Sequence, residues 1–365
     1  MLLPNQQLLS TGTRSSIGSR TFVADIVLTK LAQDGSVLDA RGYDIPSTLC
    51  GVDVLGLAND GAGGFYVAGR CGGPQSFLLH ARADGDATLD LIGDIQSLRL
   101  NVLEPIGDGV FLAGSSVETD PSVAFPLNAI RLSADGSVVY SKRYDGCPAA
   151  PDGIPSAAIV GPQGEVTIAG SGGAQHNGLV LRILPDGNVG FATFPGYGFG
   201  VGSVFLLDSI AELPTTGYIA GASAVRFTGT EPEDVSSAAL VGLDAAGHVR
   251  WSQRYTYGAP GNYARSGSVA VRLTDDGGAL ATAHVQDLTD PLGGFLWAFK
   301  PFAKDGGIDF SPGAATVKPL GVVDLDCFMT ATDRAVTVTS VPITPRSIAV
   351  SSTPAVLDVA QQTAQ

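Results

Sequence analysis

The stretch LSADGSVVYSKRYDG, residues 132–146, repeats a phrase that the chain has already used as LAQDGSVLDARGYD at residues 31–44. Both phrases place Asp-Gly after a short apolar run and before a strand-like one. Asp-Gly in this setting is a strong hairpin signal, because glycine accepts a positive φ without a steric penalty. The repeated phrase therefore predicts a β-hairpin that recurs along the chain.

The hairpin returns every 50 to 60 residues. A second marker follows in step, a strand ending in Ala-Gly or a similar pair, such as VFLAG at 110–114. Each unit then contains four strands, which we call A to D, with a Gly-rich turn between A and B and the Asp-Gly turn between C and D. A degenerate seventh copy, SIAVSSTPAVLDVA, stands at 347–360. The turn glycines are Gly35, Gly85, Gly136, Gly187, Gly247 and Gly306.

Four antiparallel strands in each of six or seven repeats are typical of a β-propeller, because one such sheet cannot bury both of its faces alone. We predict an all-β chain with a single propeller domain over residues 1–365, built from seven four-stranded blades, with six as the alternative. A β-sandwich pair or a β-solenoid is the competing architecture. The first unit begins at strand B, and VLDVAQ at 356–361 could supply strand A of the first blade or strand D of the seventh. The approximate blades are 1–48, 49–97, 98–146, 147–198, 199–258, 259–315 and 316–365.

The repeated phrases resemble the SBBP-type repeat of bacterial β-propellers over nearly the whole chain. The residues that carry the resemblance are DIVLTKLAQDGSVLDARGYD (25–44), NAIRLSADGSVVYSKRYDG (128–146), GLVLRILPDGNVGFATFPG (178–196) and ALVGLDAAGHVRWSQRYTYG (239–258). The resemblance implies the fold and an exported bacterial protein, and it implies no particular activity. AAGHVRW at 245–251 also resembles the docking repeat of quinoprotein dehydrogenases, but it occurs in one unit only, which argues against a quinone cofactor.

Composition and charge exclude several partners. The formal net charge is −14, and an acidic surface repels phosphate backbones, so we expect no nucleic acid partner. No apolar run approaches the ~18–20 residues that span a bilayer, so we do not expect a membrane-spanning chain. The first residues, MLLPNQQLLSTG, lack the basic and apolar segments of an export signal. We expect the numbering to start after a removed signal, with a cytoplasmic protein as the alternative.

The connections between strands predict which end of the sheets binds a ligand. The A–B and C–D turns are short, whereas the B–C and D–A connections are long and differ between units. Long variable loops on a rigid repeat scaffold usually carry binding surfaces, although they can also be tolerated insertions. The long B–C connections are 13–22, 115–126, 223–237 and 284–294, and the long D–A connections are 147–156, 196–203 and 256–268.

Eight residues in or directly beside these connections are the predicted binding residues. Tyrosine and arginine are enriched at binding hot spots, and tyrosine rings can also stack on sugars. Carboxylates and a histidine add polar contacts at the same end. The set is Tyr255, Tyr257, Asn262, Tyr263, Arg265, Glu231, Glu233 and His284.

No convergent catalytic set stands in the sequence. The acidic pairs Glu118 with Asp120, and Glu231 with Glu233, could serve glycoside hydrolysis, calcium binding or solvation. We therefore predict a non-catalytic binding or scaffold propeller that recognises a protein or glycan, and a component of an extracellular assembly is one such role. We expect no cofactor, with calcium as the exception. The alternative is a hydrolase or lyase with its site at the mouth of the central channel.

The cysteines bear on the compartment. Cys50 and Cys71 flank the A–B hairpin of the second unit. If the turn is centred near Asp60 and Gly61 without a bulge, facing positions have numbers that sum to 121, as 50 and 71 do. We therefore predict a disulfide between them, with two unpaired thiols as the alternative. A disulfide indicates an extracellular, cell-surface or periplasmic protein, and Cys147 and Cys327 receive no predicted pairing.

Overall fold

A computed structural model describes most of the chain as strands and turns. The described residues contain no helix, and therefore none that is long and apolar enough to cross a membrane. They are 8–18, 21–34, 36–45, 53–70, 75–93, 95, 98–116, 126–145, 153–172, 177–196, 203–214, 217–226, 237–257, 265–286, 294–302, 304–311, 315–320, 322–325, 329–343 and 345–347.

The strands form six antiparallel sheets, which follow the repeat units. Sheet 1 contains β1 (Leu8–Gly18), β2 (Thr21–Leu31) and β3 (Val37–Ile45). Sheet 2 contains β4 (Asp53–Asn59), β5 (Phe65–Arg70), β6 (Ser76–Ala81) and β7 (Ala87–Gly93). Sheet 3 contains β8 (Arg99–Ile106), β9 (Gly109–Ser115), β10 (Leu127–Leu132) and β11 (Val138–Asp145). These strands occur in chain order across each sheet.

Sheets 4 to 6 repeat the same order. Sheet 4 contains β12 (Gly153–Val160), β13 (Val166–Gly172), β14 (Asn177–Ile183) and β15 (Val189–Gly196). Sheet 5 contains β16 (Ser203–Leu213), β17 (Gly217–Arg226), β18 (Ser237–Leu243) and β19 (Val249–Tyr257). Sheet 6 contains β20 (Arg265–Leu273), β21 (Ala279–Gln286), β22 (Gly294–Pro301) and β23 (Ile308–Phe310). The prediction of an all-β chain with four strands per repeat unit is confirmed for sheets 2 to 6, and the repeat in sheet 1 begins at strand B.

The C-terminal segment differs from the sequence prediction. Residues 316–365 contain no Asp-Gly turn that would fold them into a local hairpin, and their described part forms no sheet of its own. We call residues 315–347 the strap, because its strands pair one after another with the outer strands of sheets 5, 4, 3, 2 and 1. The predicted strand VLDVAQ lies outside the described residues. The strap strands are β24 (Ala315–Pro319) on β19, β25 (Val323–Leu325) on β15, β26 (Thr330–Asp333) on β11, β27 (Thr337–Ile343) on β7 and β28 (Pro345–Ser347) on β3.

The chain divides into two compact units, each with a layered core. Unit 1 comprises residues 1–119, 128–142 and 333–361, and unit 2 comprises 120–127, 143–332 and 362–365. In unit 1, one apolar cluster joins sheets 1 and 2 and a second joins sheets 2 and 3. In unit 2, one cluster joins sheets 4 and 5 and a second joins sheets 5 and 6. Within each unit, successive sheets therefore bury their apolar faces against each other, which removes large apolar areas from water.

The Asp-Gly turns form as the sequence predicts. In sheet 4 the Gly187 N–H donates to the Leu184 carbonyl, and the Leu184 N–H donates to the Asn188 carbonyl, both at 2.8 Å. Gly187 has a φ of 82°, the left-handed region that glycine adopts readily. The Asp186 carboxylate accepts the Asn188 N–H at 3.0 Å, which fixes the turn. The register of the hairpin shifts beside the turn, as expected for a three-residue connection with a bulge.

Aromatic residues of strand D explain why the repeated phrase extends beyond the Asp-Gly turn to the end of that strand. The Tyr144 hydroxyl at the end of β11 donates to the Gly187 carbonyl in the Asp-Gly turn of sheet 4 at 2.7 Å. Tyr255 at the equivalent position of β19 donates to the Gly306 carbonyl. The Trp251 ring lies where a Cβ on Gly306 would stand. The phrase that ends in Arg-Tyr therefore encodes a contact between the outer repeat strand of one sheet and the Asp-Gly turn of the next. We call this contact the tyrosine joint.

Candidate functional site

The connections between strands are distributed unequally over the two ends of the sheets. Strand A ends at a short turn, such as the Ile106–Gly109 turn of sheet 3, and strand C ends at an Asp-Gly turn. The antiparallel order puts these turns at one end of each sheet and the B–C and D–A connections at the other. The strand ends leave long connections at 116–126, 146–152, 197–202, 227–236, 258–264 and 287–293.

One predicted long loop is wrong. Residues 13–22 belong to a hairpin, because β1 continues to Gly18 and β2 begins at Thr21. The register runs without a shift from Leu8 opposite Leu31 to Gly18 opposite Thr21. The polar composition of residues 13–20 resembles that of a loop, but the backbone of 13–18 continues the ladder of β1 with β2.

Tyr255 belongs to the core of unit 2. Its side chain is completely buried, and its ring lies against Phe299 with ring centroids 4.6 Å apart. Burial, together with the charge of Asp305, raises the pKa of its hydroxyl far above the ordinary value for tyrosine. The structure therefore assigns this ring to the joint between sheets 5 and 6, and it offers no surface to a ligand.

Three other predicted residues lie at the long-loop end of sheets 5 and 6. Tyr257 ends β19, where its backbone faces Ala315, and Arg265 begins β20 opposite Gln286. His284 is exposed on β21. The backbone thus brings these residues to the same end of neighbouring sheets, and Glu231, Glu233, Asn262 and Tyr263 lie outside the described residues.

An exposed apolar residue stands beside His284. Leu296 on β22 lies directly opposite His284 in the register, and its relative solvent exposure is 75%. It is the most exposed of the large apolar residues in the described part of the chain. Apolar residues exposed to this degree often contact a partner, although a single one can also be tolerated in solvent. His284 and Leu296 are therefore the described residues best placed to meet a ligand at this end.

The buried histidine His80 has a structural partner. Its Nε2 lies 3.0 Å from an Asp60 carboxylate oxygen, and its ring stacks on Tyr66 with centroids 4.3 Å apart. Burial alone would raise the pKa of Asp60, but hydrogen bonds from His80 and from the N–H groups of Ala62 and Gly64 outweigh it and lower the pKa. The pair therefore holds the A–B turn of sheet 2 onto strand C.

Sheet 4 contains the same device with other residues. Arg182 stands on strand C at the position of His80, four residues before the turn aspartate. Its guanidinium donates to the Glu165 carboxylate at 2.7 Å, and Glu165 accepts the Gln163 N–H in the A–B turn at 3.0 Å. The strand C partners stand at equivalent positions, whereas the carboxylates come from opposite ends of the A–B turn, Asp60 from its start and Glu165 from its end. Both pairs fasten the A–B turn to strand C.

A cavity of about 510 Å³ lies at the short-turn end of unit 2. Its walls come from the ends of the three inner strands β12, β16 and β20, and they are mostly apolar, with Ile159, Ile210 and Val271 among them. Glu212 and Arg272 are its ionisable lining residues, and neither makes an ion pair within the described part of the chain. The cavity can accept an apolar group beside one positive and one negative charge. It could not be predicted from one stretch of sequence, because its lining comes from three separate repeats.

Asp208 is a second feature that sequence analysis missed. It is the extra residue of a β-bulge in β16, between Leu207 and Ser209. Its carboxylate accepts the Ser223 hydroxyl at 2.6 Å and the Val269 N–H at 3.1 Å, so it links β16 with β17 and β20. Burial raises the pKa of Asp208 in spite of these hydrogen bonds. The signal in the sequence was an aspartate inside the otherwise apolar run FLLDSIAEL at 205–213.

The register of the A–B hairpin in sheet 2 does not support the argument for the Cys50–Cys71 disulfide. Facing positions sum to 124 from Asn59 opposite Phe65 onward, and to 123 beyond a bulge between Val54 and Gly56. The premise of an unbulged hairpin with a sum of 121 is therefore wrong. Cys50, Cys71, Cys147 and Cys327 lie outside the described residues, so the pairing itself stays a prediction.

No protein-family model matches the chain, and no curated protein matches it either. Among the described residues, no group of three or more His, Cys, Asp or Glu side chains could hold a metal ion. The acidic pairs Glu118 with Asp120 and Glu231 with Glu233 lie outside those residues.

Proposed function

We propose that the chain is a non-catalytic binding or scaffold β-propeller of an exported bacterial protein, which holds a protein or glycan at the long-loop end of its sheets. The observation that carries the proposal is the unequal distribution of the connections. In each sheet the short-turn end has Asp-Gly turns, tyrosine joints or charged pairs, whereas the other end has long connections whose sequences differ between sheets. Rigid repeats with variable loops at one end are the usual construction of a binding surface.

Six blades fit the sheets better than seven. Within each unit, strand A of one sheet contacts the preceding sheet, as β8 contacts β5 and β20 contacts β17. This is the stacking that blades of a propeller require. The residues that a seventh blade would need are used by the strap, which adds outer strands to five other sheets. We therefore propose six blades, each made by one of the six sheets.

A hydrolase or lyase at the channel mouth is the alternative, and the cavity of unit 2 is where it would act. Among the described residues, its lining contains a single carboxylate, Glu212, with Arg272 as the other ionisable group. Glycoside hydrolysis ordinarily uses two carboxyl groups on either side of the bond. The composition of the cavity therefore favours binding over catalysis.

Strand β20 offers a matched pair of variants that tests the location of binding. Arg265 begins this strand at the long-loop end, and Arg272 lies near its other end in the cavity lining. The probes are an array of defined oligosaccharides and a panel of purified bacterial surface proteins. We expect Arg265→Ala, combined with Tyr257→Ala, to weaken the strongest array signal by about tenfold, which is a typical hot-spot loss.

Arg272→Ala is the control and should leave that signal unchanged. The opposite pattern, in which Arg272→Ala or Glu212→Gln removes binding and the long-loop variants do not, would overturn the proposal in favour of the cavity. Release of sugar from a bound oligosaccharide by the unaltered chain would contradict the non-catalytic part. Thermal unfolding of each variant separates lost binding from lost folding.

A further inference from the structure

Strands of the strap pair with the outer edges of five sheets. The outer strands β3, β7, β11, β15 and β19 each pair with a strand of the strap, whereas the described part of sheet 6 ends at β23. An outer strand presents a row of backbone N–H and C=O groups, which any extended chain can satisfy. The strap therefore covers edges that would otherwise be open to strand addition.

Backbone pairing and a few polar contacts hold the strap. Ser340 lies directly opposite Asp90, and its hydroxyl donates to the Asp90 carboxylate at 2.5 Å. The Leu320 N–H donates to the Ser252 carbonyl at 3.0 Å, and the Arg334 N–H donates to the Ser141 carbonyl at 3.0 Å. None of these contacts requires the strap to belong to the same molecule as the sheet.

The described apolar side chains of the strap are mostly half-buried, and fewer of them are fully buried than in the repeat strands. Val317 and Leu320 are half-buried against the two clusters of unit 2. Val336 and Val338 are half-buried against the cluster between sheets 2 and 3, and Ile343 is half-buried against the cluster between sheets 1 and 2. Among its described side chains, only those of Val322 and Met329 are buried. Segments with few buried apolar contacts open locally at a lower free energy than the core does. The strap can therefore leave its edges while the sheets stay folded.

We propose that the strap is exchangeable, and that a second copy of this chain can place its own strap on the five outer edges. The contacts in the exchanged assembly are the same as those in the monomer, so exchange costs little beyond association. An exchanged strap would join copies into dimers or chains, which suits a component of an extracellular assembly. The proposal concerns the outer edges only and does not depend on binding at the long-loop end.

Two single-cysteine variants of the full chain test the exchange. One copy carries Asp90→Cys and the other carries Ser340→Cys, two positions that face each other across β7 and β27. The copies are mixed in equal amounts, warmed below the unfolding midpoint, cooled and oxidised. Peptide mapping by mass spectrometry then identifies a linkage between positions 90 and 340 in the presence of the four native cysteines.

We expect an intermolecular linkage, and complete mixing would place about half of the straps on a foreign copy by mass action. Asp90→Cys mixed with Thr332→Cys is the control, because Thr332 belongs to β26 and pairs with another sheet. A chain with both Asp90→Cys and Ser340→Cys reports whether the positions can be linked at all. An intrachain linkage in that chain with none between mixed copies would overturn the proposal, and failure of the double variant to link would overturn the docked strap itself.

Discussion

Strands β5 and β27 belong to the same sheet but hold their places in different ways. In β5, the four central residues are buried between neighbouring sheets. In β27, half-buried Val338 alternates with exposed Thr337 and Thr339. The repeat strand is fixed by its two hairpins and its packed faces, whereas the strap strand is fixed by one edge. Backbone pairing alone therefore does not decide how firmly a strand is held in this molecule.

A side chain added at the Asp-Gly turn of sheet 6 should give the largest effect, and Gly306→Ala tests it. Gly306 has a φ of 70°, and a Cβ there would meet the Trp251 ring, so both backbone strain and overlap oppose the methyl group. We expect a loss of about 2–4 kcal/mol in the free energy of unfolding. Gly277→Ala is the matched control, because Gly277 has a φ of 77° and open space around it, and it should cost only about 1 kcal/mol. Equal losses in chemical denaturation would show that the Trp251 contact contributes nothing.

A pair of valine truncations compares the two kinds of strand directly. Val67 on β5 is completely buried, whereas Val338 on β27 is half-buried. We expect Val67→Ala to lower the free energy of unfolding by about 2–3 kcal/mol, since it removes buried carbon atoms and leaves a cavity. Val338→Ala should cost less than about 1 kcal/mol. Urea titrations of both variants measure the difference, and similar losses would mean that the strap is part of the core.

The tyrosine joint should have an intermediate effect. Tyr144→Phe leaves the ring but removes the hydroxyl that donates to the Gly187 carbonyl, so this carbonyl loses its partner in a buried setting. We expect a loss of about 1–2 kcal/mol. Tyr66→Phe is the control, because the Tyr66 hydroxyl makes no hydrogen bond to another described residue. A loss as large in the control would assign the effect to the phenol in general and not to the joint.

The smallest predicted effect is a dependence of stability on pH. Hydrogen bonds outweigh burial and lower the pKa of Asp60 below the ordinary value for aspartate, so its contribution to stability is present above that ordinary value and disappears as the pH falls through the lowered pKa. Asp60→Asn should therefore lower the melting temperature near pH 7 and have no effect at the acid end. Asp333→Asn on the strap is the comparison, since Asp333 pairs with Lys142 at 2.6 Å but is 89% exposed. Its effect should be near zero in 0.5 M salt, and a larger effect than that of Asp60→Asn would contradict the ranking.

The contrast between the repeat strands and the strap explains which parts of the fold the sequence could predict. The Asp-Gly turn and the Arg-Tyr joint act between residues that are close in sequence or one repeat apart, so their spacing reveals them. The strap strands pair over separations as large as that between Ser347 and Arg41, and nothing in their composition identifies a partner edge. The segment was expected to repeat the hairpins of the other repeats, and no spacing in its sequence points to the outer edges with which its described strands pair.

The candidate site was predictable to a smaller extent. The long connections were recognised from their composition, and Tyr257, Arg265 and His284 do lie at one end of sheets 5 and 6. Tyr255 was chosen with them because it is adjacent in sequence, although alternation along β19 turns its ring into the core. Glu212 and Arg272 could not be found in this way, since the cavity brings together strand ends that are about 60 residues apart.

Hydrogen exchange followed by mass spectrometry most directly tests the difference between the repeat strands and the strap. Amides of β13, a buried repeat strand, should exchange only through global unfolding, whereas amides of β27 should be protected but exchange faster by local opening. The predicted result is therefore intermediate protection for residues 337–343 and maximal protection for residues 166–172. Absence of protection in residues 337–343 would show that the strap does not pair with sheet 2, and protection equal to that of β13 would show that it is an inseparable part of the sheets.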